Sequence, residues 1–229
     1  MRGHYLSLLA AVVVAFAATQ SALCGVADAY LSAYLEMFPT RATQAGDHAF
    51  DSKLEDFSAE QLNRWVEFNQ AERGRLTKLL IASDLPFDDR LDAEALLAQV
   101  ERELHQQTVL RRPQRDPLYW SEVIANAAVF LLVRDALPLA ERQQRVRARA
   151  TLLPAFAHQC SATFARAKSN EVAPDLCKIA AGQLRATAPF YRAGSARAVA
   201  DTPVARDERD ADDRHNQQLA VNLDQICTG

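Results

Sequence analysis

Seven glycines against forty-two alanines is the ratio that most narrows what this 229-residue chain can become. Glycine supplies the left-handed backbone that tight hairpins and bulges need, so a chain this poor in it cannot close the many turns of an all-β fold. Alanine is the best helix former, and arginine, which accounts for 22 of the 26 basic residues, follows closely. No segment alternates apolar and polar residues, and no hairpin dipeptide stands between apolar runs. The sequence therefore predicts an all-α fold, an irregular array of about six to eight helices with no sheet and no fixed-period repeat.

The helices can be placed by their stop and start signals. Val26–Phe38 reads as a short helix halted by Pro39, and Pro39–Asp56 as irregular chain. Ser58-Ala59-Glu60-Gln61 has the form of a capping box that opens a helix to Ala82, interrupted by Gly74. Asp89–Leu110 carries Ala93, Leu96, Leu97, Val100, Leu104 and Thr108 at helical spacing. Leu118–Leu137 is apolar almost all round between Val123 and Val133, which predicts burial on most sides. Pro138 starts a further helix toward Leu153, and Pro154 divides it from Ala155–Lys168. Pro174–Ala188 makes another.

Three regions are expected. Residues 1–27 read as a signal peptide: Arg2, then an apolar run from Leu6 to Ala18, then small residues through Ala27. That run is too short to cross a hydrocarbon core, which takes about 20 apolar residues. Cleavage after Ala27 or after Cys24 both fit, and Ser21-Ala22-Leu23-Cys24 loosely resembles a lipoprotein box. The expected location is periplasmic or secreted, with a lipid anchor on Cys24 as the lesser option. Residues 28–192 form the helical domain. Residues 193–229 read as a polar linker and a short terminal helix, with Leu219, Leu223 and Ile226 resuming a stripe, as in a chain whose continuation is missing. Export permits disulfides, yet Cys160 and Cys177 sit at different levels of neighbouring helices, and buried free thiols are the expectation for them. Cys227 completes the set.

The chemistry legible in the residues is thin. A net charge of −3 and a pI near 6.0 argue against nucleic acid as a partner. The five histidines are His4, His48, His105, His158 and His215, none followed by glutamate, so no helical zinc-protease pair can be written. Glu101 and His105 share a helix face as a solvated pair, and Asp47, His48 and Asp51 read as a turn capped by aspartates. There is no Gly-x-Ser-x-Gly elbow, and the glycines form neither a phosphate loop nor a dinucleotide fingerprint. Arg111, Arg112, Arg115, Arg142, Arg145, Arg147 and Arg149 are expected to make surface salt bridges. Tyr119 and Trp120 are expected in the core. No catalytic, cofactor-binding or metal-ligating residue is assigned.

Pro39-Thr40-Arg41-Ala42-Thr43-Gln44-Ala45-Gly46-Asp47-His48 resembles the opening segment of the bacterial domain of unknown function 885 family. Asp51, Leu54-Glu55-Asp56-Phe57-Ser58, Leu91-Asp92-Ala93-Glu94-Ala95-Leu96, Pro138-Leu139-Ala140-Glu141-Arg142 and the Arg149–Pro154 stretch fit the same family in order and spacing. The resemblance covers about residues 26–190. It implies a helical, exported or lipid-anchored protein similar to zinc metallopeptidases, with the zinc motif in the C-terminal half. That motif is not among these residues, so the resemblance carries over no ligand or catalytic group. It implies the N-terminal helical part of such an enzyme, inactive alone, with zinc and a peptide substrate expected only for the completed protein. The alternative is an exported, non-catalytic helical binding or scaffold protein. Membrane contact is expected only through the signal peptide or a lipid on Cys24.

Overall fold

The computed structural model describes residues 25–82, 85–133, 136–167 and 171–198, with side chains up to residue 187. Among these residues there is no strand. The helices are α1 (25–37), α2 (Pro39–Ala45), α3 (Ala59–Ala82), α4 (Phe87–Leu104), α5 (Arg112–Arg115), α6 (Pro117–Val133), α7 (Leu139–Ala150), α8 (Leu153–Phe164) and α9 (Pro174–Ala198). A π-helical segment, His105–Leu110, continues α4. Cys24, Cys227 and the Leu219–Ile226 stripe lie outside the described residues, as does all but the last part of the expected signal.

The chain divides into two compact units. One holds Asn63–Val109 and the described residues before Leu35; the other holds Leu35–Leu62 and the described residues from Leu110 onward. The first unit is centred on aromatic residues. Tyr30, Trp65 and Phe68 lie with ring centroids 5.5–6.0 Å apart. Their polar atoms are used: Tyr30 donates to Asn69 Oδ1 at 3.3 Å, Asn69 Nδ2 to Trp65 O at 2.8 Å, and Trp65 Nε1 to the buried Glu103 at 3.5 Å. Burial, followed by the nearby Glu103 charge, pushes the Tyr30 hydroxyl well above its ordinary pKa. The expected stripe on α4 is buried at Ala93, Val100 and Leu104, but Gln107 rather than Thr108 continues it.

In the second unit α6 is the hub, packed against α9, α7, α2 and α5. Its apolar circumference explains the position: Tyr119, Trp120, Val123, Ile124, Ala127, Ala128 and Leu131 are all buried. Phe57 stacks on Tyr119 at 5.0 Å and meets Trp120 edge-on at 5.1 Å, while Trp120 lies 4.8 Å from Phe156 of α8. Each such aromatic pair adds about 0.5–1.5 kcal/mol beyond the area it buries. Ser121 of α6 donates to Gln183 of α9 at 2.6 Å. Among the described residues no single helix is long and apolar enough to cross a membrane.

Local chemistry refines several expected boundaries. Pro39 does not merely stop α1; it occupies the first turn of α2, where its missing N–H costs nothing. That helix ends at Gly46, whose φ of 95° is the left-handed conformation a terminating glycine adopts freely. Only half of the capping box forms. Ser58 Oγ accepts from the Gln61 N–H at 3.3 Å, but the Ser58 N–H is taken by Asp56 Oδ1 and the Gln61 side chain turns to the Met37 sulfur. Arg112–Arg115 is helical where a loop was expected, and Arg142 donates to Leu132 O near the end of α6, which closes at Val133. The next helix ends at Ala150 instead of reaching Leu153. The last described helix runs to Ala198, beyond the expected end at Ala188.

Candidate functional site

The polar chemistry of the second unit converges on the Pro39–Asp56 segment. Along α7, Gln143, Val146, Arg149 and Ala150 fall on one buried face, which carries the Arg149 side chain out of solvent entirely. Its guanidinium donates to Lys53 O at 2.9 Å, Ala127 O at 3.0 Å, Pro39 O at 3.0 Å and Thr43 Oγ1 at 2.6 Å. The buried Asp51 carboxylate lies 4.0 Å from it. One planar cation thus ties α2, the loop after it and α6 to α7, a task suited to the fixed fork of donors that lysine lacks.

Asp51 is shared. Thr43 Oγ1 lies 2.6 Å from Asp51 Oδ1, Arg145 donates to Oδ2 at 2.6 Å, and His48 Nδ1 is 2.7 Å from Oδ2. Arg145 also pairs with Glu141 at 2.5 Å, and that bond, with the one to Asp51, raises its pKa further. Two expectations are corrected by this geometry. Asp51 is not a turn cap but a buried acceptor, and Arg149 is not a surface ion pair, because its position on the apolar face of α7 leaves it no solvent. Asp47 does cap the turn, accepting from the Ala49 N–H at 2.9 Å.

Beside this network lies a cavity of about 170 Å³. Its buried walls include Phe38, Thr40, Glu55, Phe57 and Tyr119, and its exposed rim carries Gln44 and Glu122. Thr40 presents both its N–H, at 3.0 Å, and its hydroxyl, at 2.5 Å, to Glu55 Oε1. Among the described residues Glu55 Oε2 has no hydrogen-bond partner. Burial raises the Glu55 pKa above the ordinary glutamate value, with the two Thr40 bonds and the Arg149 charge opposing that shift.

A larger cavity of about 420 Å³ opens where the first turn of α3 faces α5 and α8. Ser58, Arg111, His158, Gln159, Thr163 and Arg166 are among its lining residues. Arg111 holds a φ of 51° there and, like Arg115, lies 3.7 Å from Glu171. In the first unit an apolar cleft of about 450 Å³ is lined by Tyr30, Leu31, Tyr34 and Leu96.

The remaining sequence candidates separate. Glu101 and His105 are exposed, and Tyr119 and Trp120 are core. Cys160 is a buried free thiol whose pKa burial pushes up, as expected of an inert cysteine. Cys177 is disulfide-bonded, so the free thiol expected there is corrected. Among the described residues no three histidine, cysteine, aspartate or glutamate side chains lie together so as to hold a metal ion, and the donor set does not fit the zinc that the resemblance implies for a complete protein. In the sequence Glu55 stands only as part of the Leu54–Ser58 segment that resembles the family. Nothing in its local pattern signals burial, whereas Arg149 could have been found by its place on the buried stripe of α7.

Among the described residues the chain is an all-α array whose second unit is tied together by the buried Arg149. The chain belongs to the family of bacterial proteins of unknown function DUF885, whose profile matches residues 39–226. Among solved structures it is similar to a candidate lipoprotein of unknown function from Shewanella oneidensis, at 15% sequence identity and a TM-score of 0.67. That likeness covers 90% of this chain and 36% of the other, so the chain spans about a third of that protein's length and shares its fold over the matched part. No functionally curated protein matches.

Proposed function

We propose that this chain is the N-terminal helical part of an exported, zinc-metallopeptidase-like protein of the DUF885 family, forming one wall of its substrate cleft and holding none of the zinc ligands. The observation that carries the reading is the structural likeness, which takes up most of this chain and only 36% of the matched one. The histidine pattern supports it: none of the five histidines precedes a glutamate. In such a protein zinc would polarise the scissile carbonyl and activate water. This chain's own contribution would be shape and side-chain contacts. The 420 Å³ cavity, with Arg111 and Arg166 among its lining residues, is within the usual size range for small-molecule sites.

The apolar run before Cys24 supports export, and the Shewanella oneidensis relative is itself a candidate lipoprotein. A second reading, an exported helical binding protein that uses no zinc, is favoured by the Glu55 cavity, whose walls all belong to one unit of this chain. Reading the DNA that follows the Gly229 codon separates the two. The first reading predicts a His-Glu pair with a further histidine soon after it, in one of the three frames. Its absence from every frame overturns the first reading and leaves the binding protein.

A further inference from the structure

The 420 Å³ cavity between α3, α5 and α8 gathers positive charge that the fold leaves largely unspent. We propose that it binds the carboxylate of a small organic molecule, held by Arg111 and Arg166. Arg111 Nη1 and Arg115 Nη2 each lie 3.7 Å from Glu171 Oε1, which puts the head of Arg111 beside a residue that also lines the cavity. That separation is an ionic contact too long for a hydrogen bond, so the guanidinium fork of Arg111 keeps its donors. Arg166, another lining residue, is exposed and forms no ion pair among the described residues. Arg111 holds the one positive φ among the described residues other than glycine, at 51°. Strain of this kind is kept where a side chain has to stand in one place.

The walls are tied to one another. Gln159 of α8 donates to Asp56 Oδ1 at 2.9 Å and accepts from the Phe57 N–H at 3.2 Å, just before α3. Trp120 Nε1 of α6 donates to Pro113 O of α5 at 2.8 Å. Ser58 Oγ, on the lining, accepts the Gln61 N–H and keeps its own hydrogen for an oxyanion. The fixed charges decide the sign of the ligand. Glu171 is the one acid among the lining residues and is shared between two arginines, while Asp56 close by takes up Gln159 and the Ser58 N–H. A cation would meet Arg111 and Arg166 instead, and no three metal-binding side chains gather among the described residues. An inorganic anion would leave Ala59, Ala162 and Ala167 of the lining against water, and the volume is within the roughly 300–1,000 Å³ of small-molecule sites. A carboxylate on an apolar stem satisfies both the arginine forks and that stretch of wall. Every lining residue lies in one unit of this chain, so the chain alone should bind, whatever the DNA after the Gly229 codon encodes.

The test is isothermal titration calorimetry of the purified chain with 4-methylpentanoate, its neutral amide 4-methylpentanamide, N-acetyl-leucine and inorganic phosphate. The site predicts saturable binding of the carboxylates, with the amide weaker by at least about tenfold. Tighter binding of N-acetyl-leucine assigns the carboxylate to a peptide end, and tighter binding of 4-methylpentanoate to a free acid; both uphold the site. Arg166→Gln, on an exposed turn after α8, leaves the fold intact and is expected to weaken binding by about tenfold. Glycine takes a φ of 51° freely, so Arg111→Gly is expected to fold like the wild type and to weaken binding by about tenfold as well. Equal binding of acid and amide, no saturation with either carboxylate, phosphate bound more tightly than both, or wild-type affinity in either variant overturns the proposal.

Discussion

Arg149 has no water to fall back on, and that makes it the residue whose loss the second unit should feel most. Removing one member of a buried, hydrogen-bonded charge network costs about 3–5 kcal/mol, because the groups left behind keep their desolvation and lose their donor. Arg149→Met preserves much of the aliphatic volume and strands the carbonyls of Pro39, Lys53 and Ala127. Urea unfolding followed by tryptophan fluorescence should show a loss of that size, and a loss below about 1 kcal/mol would mean the network is ornamental. Glu55 gives the opposite sign. Its folded-state pKa lies above the ordinary value of 4.5, so the stability its neutral form allows is fully present below that value and is lost as pH rises through the folded pKa. Glu55→Gln does not titrate. The wild type should therefore lose stability relative to Glu55→Gln as pH rises from about 4.5 in parallel urea melts, and a constant difference would contradict the burial argument.

Among the elements, most helices were legible because they carry their own punctuation. Pro174 starts α9 by a local rule, whereas α2, bounded by Pro39 and Gly46, lay in a segment expected to be irregular. What local rules could not give is the choice between competing partners. Gln61 had the Ser58 N–H within sequence reach, yet Asp56 holds that N–H and the glutamine meets Met37, a contact set by how α1 returns toward α3. Gly74 belongs wholly to the local side of this division. It lies exposed within α3 with nothing within 4 Å of where a Cβ would stand. Gly74→Ala is expected to stabilise the protein by about 0.5–1 kcal/mol, seen as a higher urea midpoint at unchanged slope. A fall in that midpoint would show that the helix needs the glycine for something beyond its own backbone.

At the scale of the whole molecule, composition carried the fold class: so little glycine and so much alanine and arginine left helices as the economical solution, and α6 shows how a helix apolar all round becomes the hub of its unit. The family was legible from the order of short motifs. The reason for several of those motifs was not, because it is three-dimensional. Thr40, Thr43, Asp51, Glu55 and Arg149 lie up to 109 positions apart in the chain and meet only through the return of α7 onto α2. None of the three cavities left a periodic trace, since a concave surface is lined from several elements at once.

The proposal that this chain walls a cleft whose zinc is held by another segment can be checked directly. The direct measurement is zinc content and peptide hydrolysis of the chain alone, compared with the polypeptide joined to the segment encoded downstream. No stoichiometric zinc and no hydrolysis are expected for the chain alone, and about one zinc per joined polypeptide with hydrolysis that a chelator abolishes. Stoichiometric zinc in the chain alone, or a joined polypeptide that binds none, would contradict it.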